Sequence, residues 1–212
     1  MSFPGTFITF EGIDGSGKST LARELSRRLR AKGHEVVLTR EPGGSAGGEA
    51  IRELMLDGKR FGWATETEIL LFHAARRDHV DKTIAPALKA GKTVVCDRFA
   101  DSTRVYQGLG SPRLQETIAW LHREMIEIEP DLTFIIDVPP SIAVERARSR
   151  SKGDWRLEGL GKECMQKIVA AFADLAVTHA DRCRLVDNSR ATVEETVQEI
   201  LEACLKVLNG RE

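Results

Sequence analysis

The segment Gly12–Ser19 constrains the fold of this chain more than any other feature of its sequence. Its residues, Gly-Ile-Asp-Gly-Ser-Gly-Lys-Ser, match the pattern G-x-x-x-x-G-K-[ST]. An apolar run, Phe7–Glu11, precedes the segment, and apolar residues at helical spacing follow it. Glycines allow successive backbone N–H groups to curl around an anion, and the N-terminus of a following helix adds its dipole. We therefore predict a strand, a phosphate-binding loop and a helix, in that order.

Short apolar runs alternate with helix-like stretches along the rest of the chain. After the loop, Leu21, Leu25 and Leu29 form one apolar stripe, and Gly33 stands where a helix would end. Strands separated by helices of this length are typical of a parallel sheet covered on both faces. The expected fold class is therefore α/β, a three-layer sandwich of the P-loop NTPase type with a five-stranded parallel sheet. Strands are predicted at 6–11, 35–39, 93–96, 132–138 and 184–186, and later helices at 66–78, 112–127, 141–150, 163–179 and 192–208.

Length and charge favour one domain over residues 1–212. The chain has 42% hydrophobic and 30% charged residues, which is ordinary globular usage. Its 31 Lys and Arg residues balance 32 Asp and Glu residues, so no bulk basic field exists to hold nucleic acid or an anionic membrane. No window reaches the ~18 apolar residues of a membrane span. We expect neither nucleic acid nor a membrane as a partner.

Two further features concern the cell compartment and a mobile segment. The cysteines are far apart and form no C-x-x-C pair, which argues against a zinc site and suits reduced thiols in the cytoplasm. Residues 151–161 are poor in aliphatic side chains and hold three glycines. That composition predicts a lid of about this extent between two helices.

The loop motif suggests roles for its polar residues but leaves the reaction open among GTPases, ATPases and kinases. Lys18 can reach outer phosphates, and the Ser19 hydroxyl can bind Mg²⁺. The lack of an Asn-Lys-x-Asp motif disfavours a GTPase. Asp97 follows a predicted strand and could hold Mg²⁺ through water, while Arg98 could hold a second phosphate. Asp137 also ends a strand, so periodicity does not decide which carboxylate serves the metal.

Several segments beyond the loop make the sequence resemble the bacterial thymidylate kinase family. The resemblance extends from about residue 7 to residue 176. It implies transfer of the γ-phosphoryl group of ATP, with Mg²⁺, to dTMP, giving dTDP for dTTP synthesis by a cytoplasmic homodimer. The matching segments are EGIDGSGKST (Glu11–Thr20), TREPGG (Thr39–Gly44), LLFHAARRDHV (Leu70–Val80), DRFADSTRVYQG (Asp97–Gly108), PDLTFIIDV (Pro130–Val138) and RARSR…WRLE (Arg146–Glu158).

The resemblance also implies the residues that bind the acceptor, dTMP. Phe72 stacks on the thymine ring, and Arg76, one helical turn later, bonds a base carbonyl; the i, i+4 spacing puts both on one face. Asp14 reaches the sugar hydroxyl, and Arg98 holds the acceptor phosphate. The other implied contacts are Thr103 and Gln107 with the base, Tyr106 near the 2′ position of the sugar, and Arg40 and Arg52 with phosphate.

For the donor, the resemblance implies ATP contacts along the loop and a catalytic arginine from the loop or the lid. Gly15 follows Asp14, so the loop provides no arginine and the lid must. Arg150 and Arg156 are the candidates, and Trp155 is an insertion into the usual lid pattern. The implied catalytic set is Lys18, Arg98, Arg150, Arg156 and Asp14, and the implied ATP contacts are Gly12, Ile13, Asp14, Gly15, Ser16, Gly17, Lys18, Ser19 and Thr20.

A phosphate monoester with a second pKa near ~6 is mostly dianionic at neutral pH, so the expected reaction requires no general base. Catalysis would then consist of positioning and positive charge.

Two other hypotheses about the function stay open at this point. One is a kinase of similar architecture that acts on another nucleoside monophosphate or a deoxynucleoside. The other is a non-enzymatic or regulatory nucleotide-binding module, such as an ATPase stimulated by nucleic acid through the basic segment 146–156.

Overall fold

The computed structural model describes residues 3–56, 61–148 and 161–210. Within these ranges five strands form one parallel sheet in the order β2-β3-β1-β4-β5. Each strand lies within one residue of its predicted bounds, so the expected fold class is confirmed. The strands are β1 (Phe7–Glu11), β2 (Val36–Arg40), β3 (Thr93–Asp97), β4 (Leu132–Asp137) and β5 (Cys183–Asp187).

Helices connect the strands and cover both faces of the sheet. A segment of π-helix, Val80–Ile84, joins the third helix to the fourth. The described helices are α1 (Lys18–Ala31), α2 (Ala46–Leu56), α3 (Thr65–His79), α4 (Ala85–Lys89), α5 (Ala100–Tyr106), α6 (Pro112–Met125), α7 (Pro140–Arg148), α8 (Lys162–Thr178) and α9 (Val193–Asn209). None of the described helices combines the length and the apolar character needed to cross a membrane.

Alternate residues of the sheet face two apolar layers. On one face Ile8 packs with Leu25 of α1 and Ile200 of α9. On the other face Phe7 packs with Ile84 and other buried residues around α4. The central strands β1, β3 and β4 are buried on both faces because helices cover both faces, as expected for a parallel sheet.

The carboxyl ends of the central strands bring the polar segments together. Phe10 of β1 is the register partner of Asp97 of β3, and Arg40 of β2 pairs with the same Asp97. Parallel strands end at one edge of a sheet, so the segments that follow β1, β2 and β3 converge there. These segments contain the phosphate loop, Glu41 and Arg98.

Candidate active site

The phosphate loop (Gly12–Ser19) requires glycine at two positions for both conformation and space. Gly12 has φ 132° and Gly15 has φ 82°, a region that side chains other than glycine rarely adopt. A Cβ atom on Gly12 would lie 2.5 Å from the Ile136 carbonyl oxygen, and one on Gly15 would lie 2.1 Å from the Ala143 carbonyl oxygen. The loop therefore packs its backbone directly against the end of β4 and against α7.

Lys18 begins α1 and lies with its side chain buried within the loop. Its Nζ donates a hydrogen bond to the Ile13 carbonyl oxygen at 2.6 Å. Burial and the positive charge of Arg98 lower the pKa of Lys18 to about 8, against the opposing charges of Asp14 and Asp97. An anion bound in the loop would favour the charged ammonium, because an opposite charge raises the pKa of an amine.

Asn188 fastens the loop to the end of β5. Its Nδ2 donates to the Ser16 carbonyl oxygen at 2.8 Å, and its Oδ1 accepts a hydrogen bond from Thr196 of α9 at 3.1 Å. The backbone N–H of Asn188 donates to the Asp137 carbonyl oxygen at 3.0 Å. The loop is thereby held from two sides, by β1 and by the segment after β5.

Arg98 joins the loop to α5. Its guanidinium forms an ion pair with Asp14, donates to the Gly12 carbonyl oxygen at 3.1 Å and donates to Ser102 Oγ at 2.8 Å. The guanidinium carbon lies 5.4 Å from the centre of the Tyr106 ring. Burial alone would lower the pKa of Arg98, but the charge of Asp14 outweighs it and raises that pKa. Arg98 is therefore a fixed positive charge beside the loop.

A cleft opens between the phosphate loop and the segments that follow β2 and β3; we call it the loop cleft. Asp97 Oδ1 is buried and has no hydrogen-bond partner among the described residues. Ser19, whose side chain carries a hydroxyl, lines the same cleft. Both are hard oxygen donors of the type that Mg²⁺ prefers, so these residues fit the metal. The predicted residues that line the loop cleft are Asp14, Gly15, Gly17, Lys18, Ser19, Arg40, Arg52, Asp97 and Arg98.

A narrower pocket adjoins the loop cleft, and the two share Glu41, Pro42 and Arg98 in their walls. Phe72 and Arg76 line this second cavity, which we call the Phe72 pocket. The predicted contacts Thr103 and Gln107 also line it. The structure therefore brings the four predicted base contacts together.

The Arg76 side chain is 1% exposed and is held from several directions. Its Nε donates to Glu41 at 2.7 Å, and its Nη2 donates to Thr103 Oγ1 at 3.0 Å and to the Phe99 carbonyl oxygen at 3.1 Å. Its Nη1 is buried and makes no hydrogen bond within the described part of the chain. Gln107 donates to Glu68 at 3.1 Å, while its Oε1 has no partner within the same part. The walls thus carry one spare donor and one spare acceptor.

Glu41 supports Arg76 from behind. One carboxylate oxygen accepts from Arg76, and the other lies 3.1 Å from His79 Nδ1. The Nε2 of His79 lies 2.7 Å from Thr39 Oγ1, which satisfies the other side of the ring. Burial would raise the pKa of Glu41, but the charge of Arg76 and the bond with His79 lower it, which keeps the carboxylate ionised.

Comparison with known proteins identifies the family of the chain. A family profile described as "Thymidylate kinase" matches residues 10–200. A thymidylate kinase of Ruegeria pomeroyi is 53% identical over 209 residues, which cover 99% of each chain. The chain belongs to the thymidylate kinase family. A thymidylate kinase of Dinoroseobacter shibae is 51% identical over 92% of this chain and 94% of its own. A crystal structure of thymidylate kinase from Ehrlichia chaffeensis has a TM-score of 0.77 and 34% identity, and the match covers 94% of this chain and 98% of that one.

The resemblance to the thymidylate kinase family is thereby confirmed, and the remaining predicted residues can be located in the structure. Arg40 lines the loop cleft, yet its guanidinium is paired with Glu49 at 3.0 Å and its side chain is 55% exposed. Arg52 donates to the Pro42 carbonyl oxygen at 3.0 Å, and Arg146 donates to the Asn188 carbonyl oxygen at 3.0 Å. The side chain of Arg148, the candidates Arg150 and Arg156, Lys152 and residues 151–160 of the predicted lid lie outside the described residues.

Sequence reasoning missed several residues that build the site of this thymidylate kinase family member. Asn188 lies two residues after the strand predicted at 184–186, and a polar residue at that edge of the sheet was the signal available for it. Glu41 and His79 stand inside the TREPGG and LLFHAARRDHV segments, but neither matches a motif by itself. Their function depends on contacts with Arg76 and Thr39 that only the fold creates.

Proposed function

We propose that this protein transfers the γ-phosphoryl group of ATP to dTMP, giving ADP and dTDP for dTTP synthesis. The observation that carries the proposal is the continuity of the loop cleft with the Phe72 pocket at Arg98. A donor bound along the phosphate loop and an acceptor base bound beside Phe72 would bring their phosphates together at this guanidinium. The family of the chain supports the same reaction.

The spare hydrogen-bonding groups of the Phe72 pocket suit thymine. The thymine carbonyl oxygens accept and its ring N–H donates. This complements Arg76 Nη1 and Gln107 Oε1, which have no hydrogen-bond partner among the described residues. Cytosine would present an amino donor to the Arg76 donor and leave both unsatisfied. We assign Phe72 to stacking on the base, Thr103 to the base edge and Tyr106 to the sugar.

In the proposed mechanism an oxygen of the acceptor phosphate, already a dianion, attacks the γ-phosphorus of ATP without a general base. The bond from that phosphorus to the β-phosphate oxygen breaks, and ADP leaves. Lys18 would hold the outer phosphates of the donor and Arg98 the acceptor phosphate, so both charges act along the line of transfer. Asp14 fixes Arg98, and Arg40 and Arg52 add positive charge at the cleft wall. Mg²⁺ would be held by Ser19 and Asp97 and would supply positive charge to the phosphates of the donor.

Two assignments extend beyond the described residues. Arg150 and Arg156 of the lid are proposed to supply the remaining positive charge at the transferred group. Closure of that lid would exclude water and limit hydrolysis of ATP.

We also infer a cytoplasmic location, which is supported by the four cysteines, all described and all free thiols.

We propose a homodimer. The helices α3 and α6 pack together through Ile69, Leu114 and Ile118. Each of them also exposes a large apolar side chain, Leu70 at 59% and Trp120 at 49%. A second copy packed against these two helices would cover both side chains, and contiguous exposed apolar area is what marks an interface between protein chains. Sedimentation equilibrium should give twice the mass of one chain, and a monomer at micromolar concentration would refute this assignment.

A panel of acceptors scored by ADP formation tests the reaction. dTMP should be the best substrate, and dUMP should be roughly 10–200-fold poorer in kcat/KM, because one methyl-sized contact contributes only this much. dCMP and thymidine should give no product. Faster turnover of another nucleoside monophosphate or of a deoxynucleoside would replace the proposed acceptor.

Replacing Lys18 by Ala tests the donor site. Turnover should be lost, because the outer phosphates lose their principal charge, while the melting temperature stays close to that of the wild type. Lys32→Ala, an exposed lysine just after the same helix, is the control and should retain full activity. Full activity of the Lys18 variant would contradict the proposed role.

A further inference from the structure

Glu11 is a buried carboxylate directly before the phosphate loop. It ends β1, and it is 0% exposed, so it does not contact a substrate. One oxygen accepts a hydrogen bond from the Phe99 backbone N–H at 2.7 Å. The other accepts from Ser102 Oγ at 2.5 Å. Both partners lie in the segment that contains Arg98.

Arg98 has an unusual backbone conformation. Its φ is 71°, in the left-handed region that a residue with a side chain seldom adopts without support from its surroundings. The support comes from two consecutive residues of β1. The Arg98 N–H donates to the Phe10 carbonyl oxygen at 2.9 Å, and the next N–H along the chain, that of Phe99, donates to Glu11. The backbone is thus held on both sides of the Arg98 Cα atom.

The Arg98 side chain is connected to the same carboxylate. Ser102 Oγ donates to Glu11 and accepts from Arg98 Nη1 at 2.8 Å. A hydroxyl has one proton, so giving it to Glu11 turns a lone pair toward the guanidinium. Glu11 therefore fixes Arg98 twice, at its backbone through Phe99 and at its guanidinium through Ser102.

We propose that Glu11 is a positioning residue for the acceptor phosphate, holding Arg98 in the conformation that binds this phosphate. The inference rests on the proposed function, which assigns Arg98 to that phosphate. It explains why the core keeps a carboxylate where an apolar side chain would avoid the cost of burying a charge. The donor site depends on Lys18 and the loop amides, so the effect of Glu11 should be confined to the acceptor.

The hydrogen bonds that Glu11 accepts from Phe99 and Ser102 should depend on pH. Burial and the negative charge of Asp101 raise the pKa of Glu11 to about 7, against the bonds and charge of Ser102, Arg98 and Phe99. Protonation of Glu11 would occupy one of its two acceptor oxygens and weaken its hold on Phe99 and Ser102. The charged and titratable groups that act on Glu11 or feel its charge are Asp101, Arg98, Lys18, Cys96 and Cys183.

Glu11→Gln is the principal test, because it keeps the shape of the side chain and removes its charge and one acceptor. The KM for dTMP should rise about tenfold, the loss expected for one hydrogen bond to a charged group. The KM for ATP should change less than about twofold, since Lys18 Nζ bonds to Ile13 and Ser16 and not to Glu11. Ser102→Ala should show the same selective loss, and the double variant should be no worse than Glu11→Gln alone.

The pH profile and a matched control separate positioning from a general structural effect. In the wild type the KM for dTMP should fall between pH 6 and 8 more steeply than in Glu11→Gln; the titration of the substrate phosphate is common to both. Asp131 accepts a hydrogen bond from Phe7 N–H at 2.7 Å at the opposite end of the same strand. Asp131→Asn should leave both KM values unchanged.

The outcomes distinguish this inference from the proposed function. If Arg98→Lys leaves the KM for dTMP unchanged, the assignment of Arg98 fails and the inference fails with it. If Arg98→Lys raises this KM while Glu11→Gln and Ser102→Ala do not, only the role of Glu11 is overturned. Equal rises in KM for ATP and dTMP would also overturn it. Should Glu11→Gln fail to fold, the Ser102→Ala result decides.

Discussion

At the scale of single residues, a substitution of Arg76 tests how the Phe72 pocket recognises the base. Its buried Nη1 has no hydrogen-bond partner among the described residues, and Glu41 and Thr103 hold the rest of the guanidinium in place. Arg76→Lys removes the planar fork and should raise the KM for dTMP about 10- to 100-fold, the loss of a bond to a charged donor. The KM for ATP should stay within about twofold, because the phosphate loop is untouched.

The control for this prediction is Arg113→Lys, an exposed arginine of α6 paired with Glu66. It should behave as the wild type in both KM values. An unchanged KM for dTMP in Arg76→Lys would show that the base does not bind at this guanidinium.

Residues with a local signature could be predicted from the sequence, and residues that act through distant partners could not. Lys18 stands in a motif whose spacing alone indicates its role. Arg76 and Phe72 share a helix face by their i, i+4 spacing. Glu41, by contrast, meets Arg76 across 35 positions of sequence. A carboxylate in such a pair carries no periodicity or motif, so its role is visible only once the sheet and α3 are assembled.

At the scale of elements, α5 connects the site to a buried ion pair. One part of this short helix supplies Ser102 and Thr103 to the site, and Asp101 points to the segment before β5. Arg182 donates to both carboxylate oxygens of Asp101, at 2.7 and 3.0 Å, and to Thr133 Oγ1 of β4 at 3.0 Å. This pair fastens α5 to the sheet.

Arg182→Met should therefore destabilise the fold by about 3 kcal/mol, because it removes one of the two arginines that pair with the buried Asp101 carboxylate. Urea unfolding measures the change. Arg27→Met, which removes an exposed ion pair with Glu24 on α1, is the control and should unfold like the wild type. Similar stabilities for the two variants would show that the buried pair does not fasten α5.

Helices with an apolar stripe could be predicted, whereas α2 could not. It contains Gly47 and Gly48, which have low helix propensity. Packing requires the second glycine, since a Cβ atom at position 48 would lie 2.8 Å from the Gly43 carbonyl oxygen. Tertiary contact therefore outweighs local propensity here, and no signal of this contact exists in the sequence around residue 47.

At the scale of the whole molecule, the α/β class could be predicted because apolar runs alternate with helical patterns along the chain. The order of the strands in the sheet could not be predicted in this way. Apolar runs predict strands and their lengths, and helical spacing predicts crossovers between them. Which strands lie at the edges depends on how all the helices pack. β2 and β5 are the outer strands, and each exposes a leucine, Leu38 at 37% and Leu185 at 47%. Partly polar strands give only a weak indication of such edges.

The stability of the whole fold should depend on pH through two carboxylates whose pKa values are shifted in opposite directions. Asp101 is buried, yet its bonds with Arg182 and Arg104 lower its pKa to about 2, so its stabilisation is present above its ordinary pKa and is lost as pH falls toward 2. Glu11 has the opposite sign. Its pKa is raised from 4.5 to about 7, so the folded state holds its proton more tightly, and this contribution is lost as pH rises from 4.5 to 7.

Glu11→Gln removes the second contribution and leaves the first. The free energy of unfolding of the wild type minus that of the variant should fall between pH 4.5 and 7, by an amount on the order of 3 kcal/mol, since each pKa unit corresponds to about 1.4 kcal/mol. Above pH 7.5 the two profiles should run parallel, because Glu11 is then ionised in both the folded and the unfolded chain. Urea unfolding of both proteins at pH 4.5, 5.5, 6.5 and 7.5 measures this difference. A difference that is constant across these values would show that Glu11 titrates normally in the folded protein.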